Sequence, residues 1–277
     1  MRRPSLRLPP RLQPRARGYS LVELVIVIVI LGVIGVGLFS IYTTSIRQYI
    51  DASRRADMTA SARLALERIS RELRNALPNS VRVNGDGNCV EFRPVLTAAV
   101  YAELPISSPA SSLTASAFSL PAGSWAVSVM PLQSSDGVTS DMYGSAPLAT
   151  VGITAVSAPD ASNLVTVSLA AAHQFPRTSP SRRLYVVGGA SSFCITAGGQ
   201  LRRYSGYSST VNQPALSSLG SGDLLAENIS PGDSSAPVFR YFPGSLERNA
   251  VLDISLLLRV GDESLRYAHE VQIRNVP

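Results

Sequence analysis

The sequence predicts an α+β fold, with one long N-terminal helix packed on a mostly antiparallel β-sheet head. Three observations carry this. Leu24 to Ile46 runs without a formal charge, and residues 62–76 place apolar side chains at helical spacing. Beyond Pro78 the chain breaks into short β-type runs separated by Gly, Pro, Asn, Asp and Ser.

The first element is a basic leader. Residues 1–18 hold six arginines (Arg2, Arg3, Arg7, Arg11, Arg15, Arg17) and no acid. Removing those six from 25 basic residues leaves 19 against 19 Asp and Glu, so the formal charge of +6 resides in the leader. A nucleic-acid-binding domain carries clustered positive charge on its own fold, and nothing after Gly18 has that excess. All basic residues are arginine, which excludes a phosphate-loop lysine, a Schiff base and a Ser-Lys dyad. The two histidines, His173 and His269, have no metal-type partner nearby in sequence, and G-x-S-x-G, H-E-x-x-H and paired C-x-x-C motifs are missing. The expectation is a protein without catalytic residues, cofactor or metal.

The helix follows. Leu24–Tyr42 is nearly all apolar, and at 1.5 Å per residue it is about 28 Å long, close to the thickness of a hydrocarbon core. The basic flank predicts a cytoplasmic leader and a head outside the inner membrane. A cleaved secretory signal fits less well, because the apolar core is long and no A-x-A site follows directly after it. Farther along, Ala62, Leu66, Ile69, Leu73 and Ala76 step by four, three, four and three. The other face carries Arg63, Glu67, Arg68, Arg71 and Glu72, with three i,i+4 charge pairs. Pro78 stops the run. The expected organisation is a leader over 1–18, a helix over 19–77 with a membrane part near 24–42, and a head over 78–277.

The head reads as strands at 81–83, 89–92, 125–130, 151–156, 164–169, 184–187 and 193–196. Asn84–Asn88 reads as a hairpin turn rather than a calcium loop, since no glutamate follows at the required distance. Residues 105–123 and 205–222 read as long surface loops. Trp125 falls in an alternating strand pattern and reads as core. The chain ends in a hairpin, with strands over 251–260 and from 265 and a turn over Gly261–Ser264. Cys89 and Cys194 both sit in strand-like runs. In an exporting compartment they would close a loop of 105 residues; otherwise they would pack as two buried thiols.

Gly18-Tyr19-Ser20-Leu21-Val22-Glu23, between a basic leader and an apolar helix, resembles the class III signal of type IV prepilins and pseudopilins. The resemblance implies cleavage after Gly18 by the prepilin peptidase, which also N-methylates Tyr19. It further implies that Glu23, costly in lipid, meets the terminal amine of an adjacent subunit. Tyr19 replaces the commoner Phe, Gly32 matches a helix-weakening glycine, and Ser40 stands where a proline is common. ELRNALPNSVRV, CVEF, FCI with LRRYSGY, and the VQIRNVP ending together resemble the MshO-type minor pilins of mannose-sensitive haemagglutinin (MSHA) pilus systems. That resemblance implies a minor pilin that primes assembly or caps the fibre tip. Its partners would be other minor and major pilins and the inner-membrane assembly platform, with no nucleic acid. The alternatives are a J-type minor pseudopilin of type II secretion and a pilus-displayed adhesin head.

Overall fold

The structure is a computed structural model that describes residues 18–121, 123–132, 142–143, 148–244, 248–261 and 263–274. The leader expected over residues 1–17 lies outside these. Contacts divide the chain into two units, Met1–Arg55 and Ala56–Pro277. Helix α1 covers Leu21–Arg74 and contributes to both.

In the first unit α1 runs through Gly32, Gly35, Gly37 and Ser40 without a break. The Thr43 and Thr44 hydroxyls both donate to the Ser40 carbonyl, at 3.0 and 2.9 Å. In the second unit the helix buries the expected Ala62, Leu66, Ile69 and Leu73 together with Met58 and Ala65, and the expected Ala76 is buried just past its end. The opposite face is exposed at Arg63, Glu67 and Arg71. Of the three i,i+4 pairs, Arg68–Glu72 forms at 3.1 Å. Its carboxylate is shared with Arg203 at 2.8 Å, and among the described residues Arg63–Glu67 and Glu67–Arg71 do not close.

The helix ends at Arg74, three residues short of the expected Leu77. Pro78 disfavours helical backbone in the residue before it, and sheet bonds take over the chain. Leu77 N–H donates to the Arg93 carbonyl at 2.8 Å, Val95 N–H donates to the Asn75 carbonyl at 3.1 Å, and Ala76 bridges to Pro94.

Among the described residues fourteen strands follow: β1 Arg82–Val83, β2 Cys89–Phe92, β3 Val95–Glu103, β4 Ala110–Ser116, β5 Trp125–Ser128, β6 Thr150–Val156 and β7 Leu164–His173. The rest are β8 Arg183–Val187, β9 Ala190–Ile195, β10 Leu201–Tyr207, β11 Asp223–Ala226, β12 Phe239–Phe242, β13 Ala250–Val260 and β14 Glu263–Ile273. These strands pair antiparallel throughout, as a five-stranded sheet β1-β2-β9-β10-β11, a three-stranded sheet β12-β13-β14, and a closed barrel β3-β4-β7-β6-β5-β8. The α+β class holds, but the sheet content is richer than one layer. Two of the expected loops are part of it: β4 lies within 105–123, and β10 runs into 205–222. Ser and Ala in β4 hide a strand whose inward positions are Leu113 and Ala115.

One core joins the helix stripe to both open sheets. Ile69 and Leu73 belong to the same buried cluster as Phe92, Phe193, Leu252, Ile254 and Leu256, and Phe92 stacks on Phe193 at 5.7 Å between ring centroids. The barrel has its own core, which includes Leu113, Val127, Val165, Val167, Leu184 and Val186, with Trp125 packed half-buried against it. The barrel is inserted between β2 and β9, which are neighbours in the five-stranded sheet and pair from Cys89–Cys194 to Phe92–Ser191. Its two connections touch, with Arg93 Nη2 donating to the Gly188 carbonyl at 2.8 Å and Gly188 N–H donating to the Pro94 carbonyl at 3.2 Å.

Two turns need glycine. In the β1–β2 hairpin Gly87 has φ +67°, and a Cβ there would collide with Pro237. In the last hairpin Val260 pairs with Glu263, so the turn is two residues rather than the expected four, and Gly261 takes φ +61°.

Candidate functional site

Gly18, Tyr19 and Ser20 precede the first helical residue, and all three are exposed. Ser20 caps the helix. Its Oγ accepts the Glu23 N–H at 3.2 Å, and its carbonyl accepts the Leu24 N–H at 3.2 Å. Ser20-x-x-Glu23 is the spacing of a capping box, and this spacing could have revealed Ser20 from sequence alone. Glu23 sits in the first turn, where the unpaired amides and the helix dipole favour a negative charge. Gly18, Tyr19 and Glu23 are thus brought within one turn of the helix start.

Downstream, every apolar side chain from Leu21 to Tyr42 is exposed. The most apolar 18-residue window of α1 has a mean hydropathy of 3.1, and none of that window is buried by the chain. By length and composition this helix is a candidate membrane span. Water does not tolerate so wide an apolar surface, so the segment needs lipid or neighbouring helices around it.

Cys89 and Cys194, left open by the sequence, form a disulfide with Cα atoms 4.2 Å apart. Two residues along the same strands lies a polar cluster that sequence reading missed. Glu91 is fully buried. Arg82 Nε and Nη2 donate to Glu91 Oε1 at 3.0 and 2.7 Å, and the Tyr207 hydroxyl donates to Oε2 at 3.0 Å. The Ser192 and Tyr207 hydroxyls are also bonded. The Arg82 guanidinium lies 3.8 Å from the Tyr143 ring centre and donates to the Thr210 and Val211 carbonyls. Burial, and next the Glu91 charge, raises the Tyr143 phenol above its ordinary pKa. Burial likewise raises Tyr207 and lowers the Arg93 guanidinium. No periodicity marks such a cluster, because its members come from five separate segments.

The remaining sequence candidates resolve as structural. His173 Nε2 bonds the Leu148 carbonyl at 3.0 Å and its ring meets the Phe175 edge, while His269 Nε2 bonds Ser70 Oγ at 2.9 Å. Asn84 Oδ1 accepts the Asn88 and Cys89 amides, both at 2.9 Å, making 84–88 a turn. Among the described residues no group of three or more His, Cys, Asp or Glu converges on a metal-sized site.

Residues 13–39 match the prokaryotic N-terminal methylation motif, the type IV prepilin-like signal. The motif indicates a type IV pilin or pseudopilin-like protein, points to a structural subunit rather than an enzyme, and implies prepilin peptidase processing and assembly with other pilins. With the apolar helix, it suggests membrane anchoring and pilus association. No curated protein and no solved structure matches the chain.

Proposed function

We propose that this chain is a minor type IV pilin of the MSHA kind, working in pilus assembly at initiation or at the fibre tip. The observation that carries the reading is the helix start: an exposed Gly18-Tyr19, a Ser20 cap, Glu23 in the first turn, then an uncovered apolar surface. Cleavage after Gly18 exposes the amine of Tyr19, which is then N-methylated. Leu24–Phe39 anchors the subunit in the inner membrane, with leader in the cytoplasm and head outside, before the assembly platform extracts it. In the fibre that segment packs among other pilin helices, and Glu23 faces the terminal amine of a neighbour. Low dielectric around the pair makes the meeting favourable, whereas an unpartnered Glu23 in lipid is costly.

The MSHA assignment is supported by the placement of its motif segments. CVEF is β2, FCI closes β9 and LRRYSGY is β10, three adjacent strands of the sheet that receives the helix. The head also supports a second reading, display of a binding module, because the barrel is inserted into that sheet and has its own core. A J-type pseudopilin shares the leader and helix and differs in the machine that it joins.

Mass spectrometry of the N-terminal peptide from producing cells tests the proposal. The expected peptide begins at methylated Tyr19, in sheared surface fibres as well as membranes. An N-terminus at Met1, or a cut beyond Tyr42, overturns it.

A further inference from the structure

The three-stranded sheet ends on an open edge. β14 is eleven residues long and pairs with β13 from Ala250–Ile273 to Val260–Glu263 without a register shift. On its other side, among the described residues, no backbone group of residues 264–273 is bonded to any strand or loop. Natural sheets protect such an edge with proline, a bulge or lysine, and β14 has none of these. Its exposed face also carries unmatched charge. Arg240, Asp253 and Glu270 lie side by side across β12, β13 and β14. Glu270 thus has a like charge on one side, which repels it, and open edge on the other. Among the described residues neither Glu270 nor Arg266 forms an ion pair; Arg266 Nη1 donates to Ser255 Oγ at 3.2 Å.

We propose that β14 pairs edge to edge with β14 of a second copy of this chain, antiparallel about a two-fold axis at Ala268. A two-fold normal to the sheet keeps each residue on its own face, so odd positions meet odd and even meet even. Centred on Ala268, the exposed face sets Ser264 against Gln272 and Arg266 against Glu270, each twice. The inner face sets Leu265 against Val271 and Tyr267 against His269. Glu270, crowded by Asp253, gains a cation on its open side. Moving the centre to Tyr267 or His269 sets Arg266 against Ala268 or Gln272 and loses the match. This self-complementarity selects a second copy over an unrelated extended peptide. A groove of about 600 Å³ between β14 and α1 leaves room for the added strand's inward side chains.

The axis also fixes where the contact occurs, a step that rests on the pilin reading. Residues 56–74 of α1 lie on the inner face of the sheet. There the Tyr267 hydroxyl donates to Thr59 Oγ1 at 2.8 Å, and His269 Nε2 bonds Ser70 Oγ at 2.9 Å. A two-fold normal to the sheet reverses every direction lying in it, so these helical stretches run oppositely in the pair. Subunits drawn from one membrane into one fibre all run the same way. The contact therefore joins heads carried by two different fibres.

The test uses the full chain, in sheared fibres and in detergent, under mild oxidation. Ala268→Cys should trap a disulfide-linked dimer, because the axis sets position 268 opposite itself. Gln272→Cys should not, since its two copies lie about 25–30 Å apart. Fibres mixed from two strains with differently tagged chains should give dimers that carry both tags. In the Ala268→Cys background, Arg266→Glu or Glu270→Arg alone should weaken trapping about tenfold, and the two together should restore it. Recovery in the double reversal separates lost pairing from lost folding. No dimer, trapping on a different protein, equal trapping at Gln272, or indifference to the single reversals overturns the pairing, while incorporation into fibres keeps the pilin reading. Dimers of like tags alone overturn the link between fibres. A chain that dimerises in detergent yet never enters fibres keeps the pairing and overturns the pilin reading.

Discussion

Cys89 and Cys194 face each other across β2 and β9, bonded, at a sequence separation of 105. Nearly all of the chain between them is the barrel, so the bond closes the insertion at its base. Cross-linking so distant a pair removes about 4–5 kcal/mol of loop entropy from the unfolded chain in the chain-entropy picture. Cys89→Ala with Cys194→Ala should therefore destabilise the head by about 3–5 kcal/mol, read as a lower urea midpoint. An unchanged midpoint would show that the bond staples nothing that matters to stability.

The barrel should be separable from the rest of the head. Residues 94–188 enter and leave at adjacent points, and the helix core contains none of them. Replacing them by a short Gly-Ser linker should leave α1 docked on the two sheets and Cys89–Cys194 bonded. The excision does remove the packing of Tyr185 and Val187 on Leu77, so some loss of stability is expected. Hydrogen exchange is the measurement: retained slow exchange in β9 and β13 supports a module, and its collapse would mean that barrel and sheets form one cooperative body.

Glu91 should be the head's most sensitive carboxylate. Glu91→Gln leaves Arg82 facing a neutral amide in a largely dry site, a change expected to cost about 3–5 kcal/mol. Arg68→Ala, by contrast, removes a pair whose arginine side chain is 38% exposed and should change stability by about 1 kcal/mol or less. Equal denaturation midpoints for the two variants would refute the distinction.

The helix stripe and nine of the fourteen described strands were legible because each carries a repeated local signal, such as the 4-3-4-3 spacing of Ala62 to Ala76. What stayed hidden depends on partners distant in sequence. Ser and Ala in β4 read as loop until β7 pairs with them, from Ala110–His173 to Ser116–Leu164. Nothing local marks barrel closure, which is set by β8 pairing with both β3 and β5. The candidate site divided the same way: Gly18, Tyr19 and Glu23 are adjacent in the chain and readable as a motif, whereas Arg82, Glu91, Tyr143 and Tyr207 meet only after folding.

Alkali should unfold the head through its tyrosines. Burial raises Tyr143 and Tyr207 above the ordinary phenol value and pushes Tyr241 up to about 12. A raised folded pKa means that the neutral phenol is preferred in the fold. This stability is complete below the unfolded value of about 10 and is lost as pH rises toward 12 and beyond. Tm should stay level up to about pH 10 and then fall. His173 works in the other direction: burial lowers its pKa, so its contribution is present above about pH 6.5 and declines in acid. An alkaline slope unchanged in Tyr143→Phe with Tyr241→Phe would assign the loss to other groups.

Ser20 and Glu23 should separate helix formation from assembly. Ser20→Ala removes the hydroxyl that accepts the Glu23 amide, a cap worth about 1 kcal/mol. It should fray the first turn yet leave the carboxylate, so the subunit is still cut after Gly18 and still enters fibres at a reduced level. Glu23→Leu keeps the Ser20 cap, because the bond is to the backbone, and it removes a charge that costs about 3 kcal/mol at a bilayer centre and less near the interface. That variant should be more comfortable in the membrane and worse in the fibre, since the amine of Tyr19 on a neighbour would then meet no carboxylate. Quantifying the chain in sheared fibres and in membranes for both variants is the measurement. Glu23→Leu present in fibres at the wild-type level would mean that the carboxylate does not direct assembly.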